Sequence, residues 1–278
     1  MKILVTGAKG FLGYRLCEFL KGENYEVYEG YHETLDITDE SQVLEVICRE
    51  KPEIVIHCAA ISDVSMCEKN PDLSYDINVN GPFYIANACK KAGAKMLFCS
   101  SDQVYLKSKG ENPHLETEIL VPPHIYGKQK LEAERRIQSV CHDAVILRLS
   151  WMYDIFSREG MEHSQLFHNI VKASEKQETI LLPVHDKRSI TNVWDVIENI
   201  EKFFKAPGGV YNYGSENEKN TYTLVSEVFG TDLIKPNENA FMEEPRNIMM
   251  NCSKAKKIGV SLPQSSERMK KDAKKLSR

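Results

Sequence analysis

At 278 residues and a net charge of −4, the chain is long enough for one large domain or a domain with a smaller lobe, and it lacks the basic excess that would draw in a nucleic-acid backbone. Its 42% hydrophobic and 27% charged content is ordinary for a globular protein, and nothing approaches the roughly 20 apolar residues of a membrane span. The eight cysteines show no CxxC spacing and several lie in apolar runs, Cys58 and Cys99 among them, so they read as reduced thiols; no metal site, signal segment or membrane anchor is expected, which places the protein in the cytoplasm.

In chain order, Ile3–Thr6 reads as a strand and Phe11–Lys21 as a helix with Leu12, Leu16, Phe19 and Leu20 on one side. A strand at Tyr25–Glu29 follows, then a helix over Asp39–Lys51 ended by Pro52. Glu53–Ala60 is an apolar strand of the kind buried on both faces of a parallel sheet. Ser74–Ala92 reads as a helix closed by Gly93, Lys95–Cys99 as a strand, Tyr126–Ser139 as a helix and Ala144–Leu149 as a strand. This alternation predicts an α/β fold, a doubly wound parallel sheet of Rossmann type with right-handed crossovers. Beyond residue 150 the regularity fades: helices are expected at Ser164–Glu175, Val193–Phe204, Thr223–Val228 and Ser265–Leu276, with a short strand at Val210–Tyr213. Residues 1–150 are therefore assigned to the dinucleotide-binding domain, with 181–205 returning to it, and 151–180 and 206–278 to a smaller substrate-binding α/β lobe. Pro207-Gly208-Gly209 reads as a turn, and the lysine-rich tail (Lys270, Lys271, Lys274, Lys275) as the solvated face of a terminal helix.

The first strand runs into Thr-Gly-Ala-Lys-Gly-Phe-Leu-Gly, which places Gly7, Gly10 and Gly13 between strand and helix. Gly7 would make the tight turn, Gly10 would admit a pyrophosphate, and Gly13 would let helix and sheet pack closely; the diphosphate would rest on the amides of Phe11 and Leu12. An acidic residue ending strand 2 would favour NAD and a cation NADP. Here Glu29 is expected to turn away, leaving Gly30 at the decisive place with His32 beside it, a slight lean to NADPH. Asp36 and Ile37 are placed either to contact adenine or simply to form a turn and helix entry. The small residues Ala59 and Ala60 would let a cofactor lie close, whereas His57, inside an apolar strand, reads as a packed core histidine.

Tyr126 and Lys130 stand four apart at the start of a helix and so share a face, where the ammonium would lower the phenol pKa and hold the nicotinamide ribose. Such a pair is common by chance on any helix. Its weight comes from Ser100-Ser101-Asp102 at the carboxyl edge of a sheet strand, where Ser101 would hydrogen-bond a substrate carbonyl, and from Asn78, whose amide would order a water beside the lysine.

These residues in this order resemble the extended short-chain dehydrogenase/reductase superfamily and, within it, the dTDP-4-dehydrorhamnose reductase family. The resemblance covers nearly the whole chain, from the glycine turn through His57–Ala60, Ser100–Tyr105, Tyr126–Lys130 and Arg148–Tyr153 to Pro245–Lys254. It implies reduction of a nucleotide-linked 4-keto-6-deoxy sugar, with hydride passing to C4, Tyr126 protonating the oxygen, and Ser101 and Asp102 at the substrate. Trp151 would pack on the hexose or serve as a core aromatic. The chain departs from the family where Ser101 replaces threonine, Gln103 tyrosine and His124 asparagine. Its Arg188-x-x-Thr-x-Val-x-Asp195 stretch looks more like sugar-nucleotide epimerases and dehydratases, or the regulatory subunit of methionine adenosyltransferase. Arg188 and Arg246 would then grip a substrate diphosphate or act as surface ion-pair partners. Epimerisation, dehydration or a non-catalytic cofactor-binding subunit remain alternatives, and a homodimer is plausible.

Overall fold

The computed structural model describes residues 1–108, 110–155 and 166–276. Its first half contains β1 (Lys2–Thr6), α1 (Phe11–Gly22), β2 (Glu26–Gly30), α2 (Glu40–Glu50), β3 (Ile54–His57), α3 (Val64–Lys69), α4 (Pro71–Tyr75), α5 (Gly81–Ala92), β4 (Lys95–Ser101), α6 (Ile125–Val140) and β5 (Val145–Leu149). The helix expected over 74–92 is divided: a π-helical turn, Asp76–Asn80, joins α4 to α5. Pro82 has no amide to donate to the carbonyl of Asn78, and the wider turn absorbs that gap.

The second half adds β6 (Trp151–Tyr153), α7 (Leu166–Lys176), β7 (Ile180–Pro183), β8 (Asp186–Lys187), β9 (Ile190–Asn192), α8 (Val193–Glu198), β10 (Gly209–Tyr213), α9 (Thr221–Phe229), β11 (Ile234–Asn237), β12 (Arg246–Asn247), α10 (Ser253–Lys256) and α11 (Ser265–Leu276). Ser164 and Gln165, the expected start of α7, lie outside the described residues.

Six strands form one sheet in the order β10-β5-β4-β3-β1-β2, every neighbouring pair parallel. Successive side chains point to opposite faces of a strand, and the apolar runs of the sequence supply both. Ile3, Val5, Ile54, Ile56, Leu97 and Val145 enter one core with Leu16 of α1 and Val196 of α8. Leu4, Val55, Met96, Phe98 and Ile146 enter the other with Val43 and Ile47 of α2, Ile85 of α5 and Ile137 of α6. Burying an aliphatic side chain of this kind contributes about 1.5–3 kcal/mol over leaving it exposed, so continuous β-branched runs pay off only where helices cover both faces.

Two assignments change. The strand around 210–213, expected in the lobe, is the outer strand of the main sheet, where Gly209–Tyr213 pairs with Val145–Leu149. Gly208 permits this: a side chain there would run into the backbone of His142 and Asp143, so Pro207-Gly208-Gly209 is a close backbone approach as well as a turn. Of residues 181–205, the part from Val193 onward packs on the sheet beside α1. The strands before it pair elsewhere, β7 with β11, β8 with β12 and β9 with β6. The lobe has its own core of Tyr153, Phe167, Leu182, Leu224, Ile234 and Met269. Asp272 of α11, fully buried, accepts from Tyr153 Oη at 2.9 Å and Asn192 Nδ2 at 2.7 Å, while Lys270, Lys271, Lys274 and Lys275 face solvent. No helix among the described residues is long and apolar enough to cross a membrane, and all eight cysteines are unbridged.

Between α6 and β5 lies a buried ion pair. Arg148 donates to both carboxylate oxygens of Glu134, at 3.1 and 2.7 Å, and Ser100 Oγ donates to the same carboxylate at 2.5 Å. Arg148 Nη1 also donates to Tyr105 Oη at 2.7 Å, which donates in turn to Asn212 at 2.7 Å. Arg148→Met should therefore destabilise the protein by about 3–5 kcal/mol, and Arg148→Met with Glu134→Leu should recover most of that loss. Urea unfolding of the single and double variants measures both.

Candidate active site

The chain places β2 on one side of β1 and β3 on the other, so the direction of winding reverses between β1 and β3 and opens a crevice at their carboxyl ends. Gly7 lies there with φ of +66°, and a Cβ on it would stand 2.8 Å from the backbone of Ala59. One on Gly13 would overlap the carbonyl oxygen of Gly7, so α1 can sit this close to the turn only with glycine at that position. Side chains cap α2, α6 and α9 (Asp39, His124 and Asn220), whereas α1 starts at Gly10 with no side-chain cap and no acidic residue in its first turn. Phe11 and Leu12 are half-buried there, as are Ala59 and Ala60 across the crevice. A cradle closed to side chains and an uncapped helix start suit the diphosphate of a dinucleotide.

At the end of β2, Glu29 ion-pairs with Lys21 of α1 and is turned from the crevice. Gly30 is buried, His32 is exposed, and Lys9 reaches from the glycine turn to Glu33 at 3.0 Å, with its ammonium 4.9 Å from the Tyr31 ring centre. Asp36 accepts from the amide and hydroxyl of Thr38 at 2.9 and 2.7 Å, which gives it the turn-forming role. Ile37 is buried and meets the backbone of Gly81.

β4 and α6 bring Ser101, Tyr126 and Lys130 together. The Tyr126 phenol lies within electrostatic reach of the Ser101 hydroxyl, while Ser101 Oγ donates to Asp102 Oδ1 at 3.3 Å and accepts from Gln103 N at 3.2 Å. Lys130 is only 2% exposed, its ammonium 4.5 Å from the Phe98 ring centre and close to the Cys58 and Cys99 thiols, whose sulfurs are 3.6 Å apart. The electrostatics differ from the expectation of a phenol pKa lowered by the lysine. Burial raises the Tyr126 pKa, the Ser101 hydroxyl opposes it and the nearby Asp102 adds to it. Lys130 is itself pushed down by burial, to about 8. Desolvation, the largest cause in each case, disfavours the charged form of both groups.

Asn78 is buried, with its amide committed: Oδ1 accepts from Ile61 N at 2.9 Å, and Nδ2 donates to Ile61 O and to Gln129, each at 3.0 Å. It holds the loop after β3 against α6. His57 packs in the core as read from the sequence: Nδ1 lies 2.8 Å from Thr6 Oγ1, its ring stacks on Phe98, and burial lowers its pKa to about 3.

Trp151, Asp186 and Arg246 come from the short strands β6, β8 and β12. Trp151 opens β6 and is half-buried, with the Arg188 guanidinium 5.1 Å from its ring centre. Asp186 is nearly inaccessible and receives Arg188 Nε at 3.2 Å on one oxygen and Arg246 Nε at 3.0 Å on the other. The two arginines are thus neither surface pairs nor independent, and sequence reading missed the carboxylate between them. Asp102 is buried with Oδ2 unpartnered among the described residues; burial raises its pKa to about 6 against the pull of Arg188. The two departures Gln103 and His124 touch. His124 Nδ1 accepts from Gly127 N at 2.9 Å, so Nε2 carries the proton toward Gln103 Oε1 at 3.2 Å, and Gln103 Nε2 donates to Asp102 at 3.3 Å.

A family model described as the RmlD substrate binding domain matches residues 1–277. The chain is 32% identical over 82% of its length to the spore coat polysaccharide biosynthesis protein SpsK of Bacillus subtilis, covering 78% of that protein. It is 27% identical over 93% of its length to methionine adenosyltransferase 2 subunit beta of Xenopus laevis, covering 83% of that protein. Among solved structures, dTDP-4-dehydrorhamnose reductase from Bacillus anthracis in complex with NADP superposes with a TM-score of 0.83 at 26% identity, over 97% of each chain.

The depressed Lys130 pKa has a measurable consequence for stability. Above its ordinary value of 10.5 neither state holds the proton, and below about 8 both do. Between these values the unfolded chain binds more protons, so stability from this group rises with pH across the window and is lost as pH falls through about 8. The stability of wild type relative to Lys130→Met should increase by on the order of 2 kcal/mol between about pH 7 and about pH 10, read from urea midpoints of the two proteins.

Proposed function

The chain belongs to the family described as the RmlD substrate binding domain, and from that membership we propose that it is an NAD(P)H-dependent reductase of a nucleotide-linked 4-keto-6-deoxy sugar, similar to dTDP-4-dehydrorhamnose reductase. The observation that carries this reading is the convergence of Ser101, Tyr126 and Lys130 at the carboxyl end of β4, beside the glycine turn at the winding reversal.

When bound, the reduced nicotinamide dinucleotide supplies the hydride for C4 of the sugar. Gly7, Gly10 and Gly13 cradle its diphosphate with the amides of Phe11 and Leu12, while Ala59 and Ala60 leave room for it. Ser101 hydrogen-bonds the substrate carbonyl and aligns the oxygen with the phenol of Tyr126. That phenol, held protonated by its burial, delivers its proton to the oxygen as the carbonyl becomes an alcohol. Lys130 holds the nicotinamide ribose, and Trp151 packs on the hexose under the Arg188 guanidinium. Asn78 acts by fixing the loop after β3. The commitment of Glu29 to Lys21, together with Lys9 beside Tyr31, supports NADPH as the preferred donor.

A second reading, a cofactor-binding subunit without turnover, draws on the similarity to methionine adenosyltransferase 2 subunit beta across 93% of this chain. NADPH oxidation, followed by absorbance across a panel of nucleotide-linked 4-keto-6-deoxy sugars, separates the two. Turnover supports the reductase; silence across the panel with NADPH binding intact supports the subunit. In an active preparation, Tyr126→Phe should lower kcat by about 10²–10⁴-fold while leaving NADPH affinity near wild type. Lys9→Ala should lower kcat/KM for NADPH about 10-fold more than for NADH, and equal losses with both would remove Lys9 from cofactor choice.

A further inference from the structure

Asp186 is 2% exposed yet carries a full set of charged partners. Arg246 Nε donates to its Oδ1 at 3.0 Å, Arg188 Nε lies 3.2 Å from its Oδ2, and Thr221 Oγ1 donates to Oδ2 at 3.0 Å. The pairing of β8 with β12 sets this geometry, because it places Asp186 directly opposite Arg246 across sixty residues of chain, with Arg246 N donating to His185 O at 2.8 Å. Each guanidinium is further fixed on an aromatic face. Arg246 lies 3.5 Å from the centre of the Phe241 ring, and Arg188 stands over Trp151. Arg246 is thus tied down through Nε, and Arg188 is held by its ion pair with the same carboxylate. Among the described residues their terminal nitrogens make no hydrogen bond, and neither arginine pairs with a carboxylate other than Asp186, so two planar forks are presented from one buried carboxylate. Asp102, at the end of β4 beside Ser101, lies within electrostatic reach of both arginines.

We infer that Asp186 is a positioning residue, which holds Arg188 and Arg246 side by side as a two-fork clamp for the diphosphate of the nucleotide-linked substrate. The inference rests on the reading that the substrate is a nucleotide sugar. One planar fork matches the two oxygens of one phosphoryl group, and two forks held by a common carboxylate match two adjacent groups. Asp186 itself carries a negative charge close to where the diphosphate would bind. A carboxylate serving only to balance charge would weaken diphosphate binding, and its removal would strengthen it. A carboxylate that orients the forks has the opposite effect, since its loss frees two long side chains whose ordering must then be paid at binding.

Calorimetric titration of dTDP into wild type, Asp186→Asn and Asp186→Glu, each saturated with NADP⁺, tests the sign directly, with thymidine as the ligand lacking a diphosphate. The clamp predicts that Asp186→Asn weakens dTDP on the order of 10- to 100-fold, that Asp186→Glu recovers part of this, and that NADP⁺ affinity stays near wild type. Equal or tighter dTDP binding by Asp186→Asn, or no preference of wild type for dTDP over thymidine, overturns it. Should Asp186→Asn fail to fold, Thr221→Val removes one hydrogen bond from the carboxylate and leaves all three charges in place. Several-fold weaker dTDP binding by that variant supports the clamp, and unchanged binding overturns it. Because no turnover is needed, absence of keto-sugar reduction would count against the reductase reading while leaving this result interpretable.

Discussion

Glu134 and Arg148 meet in the interior between α6 and β5, and most of what lies near Ser101, Tyr126 and Lys130 is located by that contact. Lys130 is one helical turn before Glu134, so fixing the carboxylate fixes the height and rotation of the helix that carries Tyr126 and Lys130. Ser100 donates to the same carboxylate one residue before Ser101, which sets the end of β4 against that helix. Through Tyr105 and Asn212 the network reaches β10 at the sheet edge. An isolated charge at this depth would be costly, but here each guanidinium nitrogen and both carboxylate oxygens have a partner, which is the condition under which a buried ion pair becomes tolerable.

The site around Tyr126 is dry, and its electrostatics follow from that. Burial raises the phenol, lowers the ammonium and raises the Asp102 carboxyl toward neutrality, so each ionisable group is pushed to its uncharged form. Beyond Asp102, Arg188 and Arg246 share the Asp186 carboxylate.

The departures from the reductase pattern are coupled in space. Gln103 and His124 come from opposite ends of the long connection between β4 and α6, yet they hydrogen-bond to one another and pass that contact on to Asp102. Changing either residue alone would leave a polar group facing a partner of the wrong kind, so the two positions are best understood as one unit that adjusts the floor of the pocket.

The sequence by itself determined the parallel, doubly wound class of the sheet and set Tyr126 and Lys130 one helical turn apart. Continuous apolar runs flanked by amphipathic helices can bury both faces only in a parallel doubly wound arrangement, and Gly7, Gly13 and Tyr126-x-x-x-Lys130 act through neighbours close by in the chain. Glu29 turning away from the crevice and His57 lying in the core were legible for the same local reason. The tertiary structure alone decided what depends on pairings between distant segments: that β10 closes the main sheet against β5, that β8 and β12 set Asp186 between two arginines, and that Gln103 meets His124. It also decided the direction of the Tyr126 and Lys130 shifts, because residue spacing shows that two groups are neighbours but not how much water has been removed from around them.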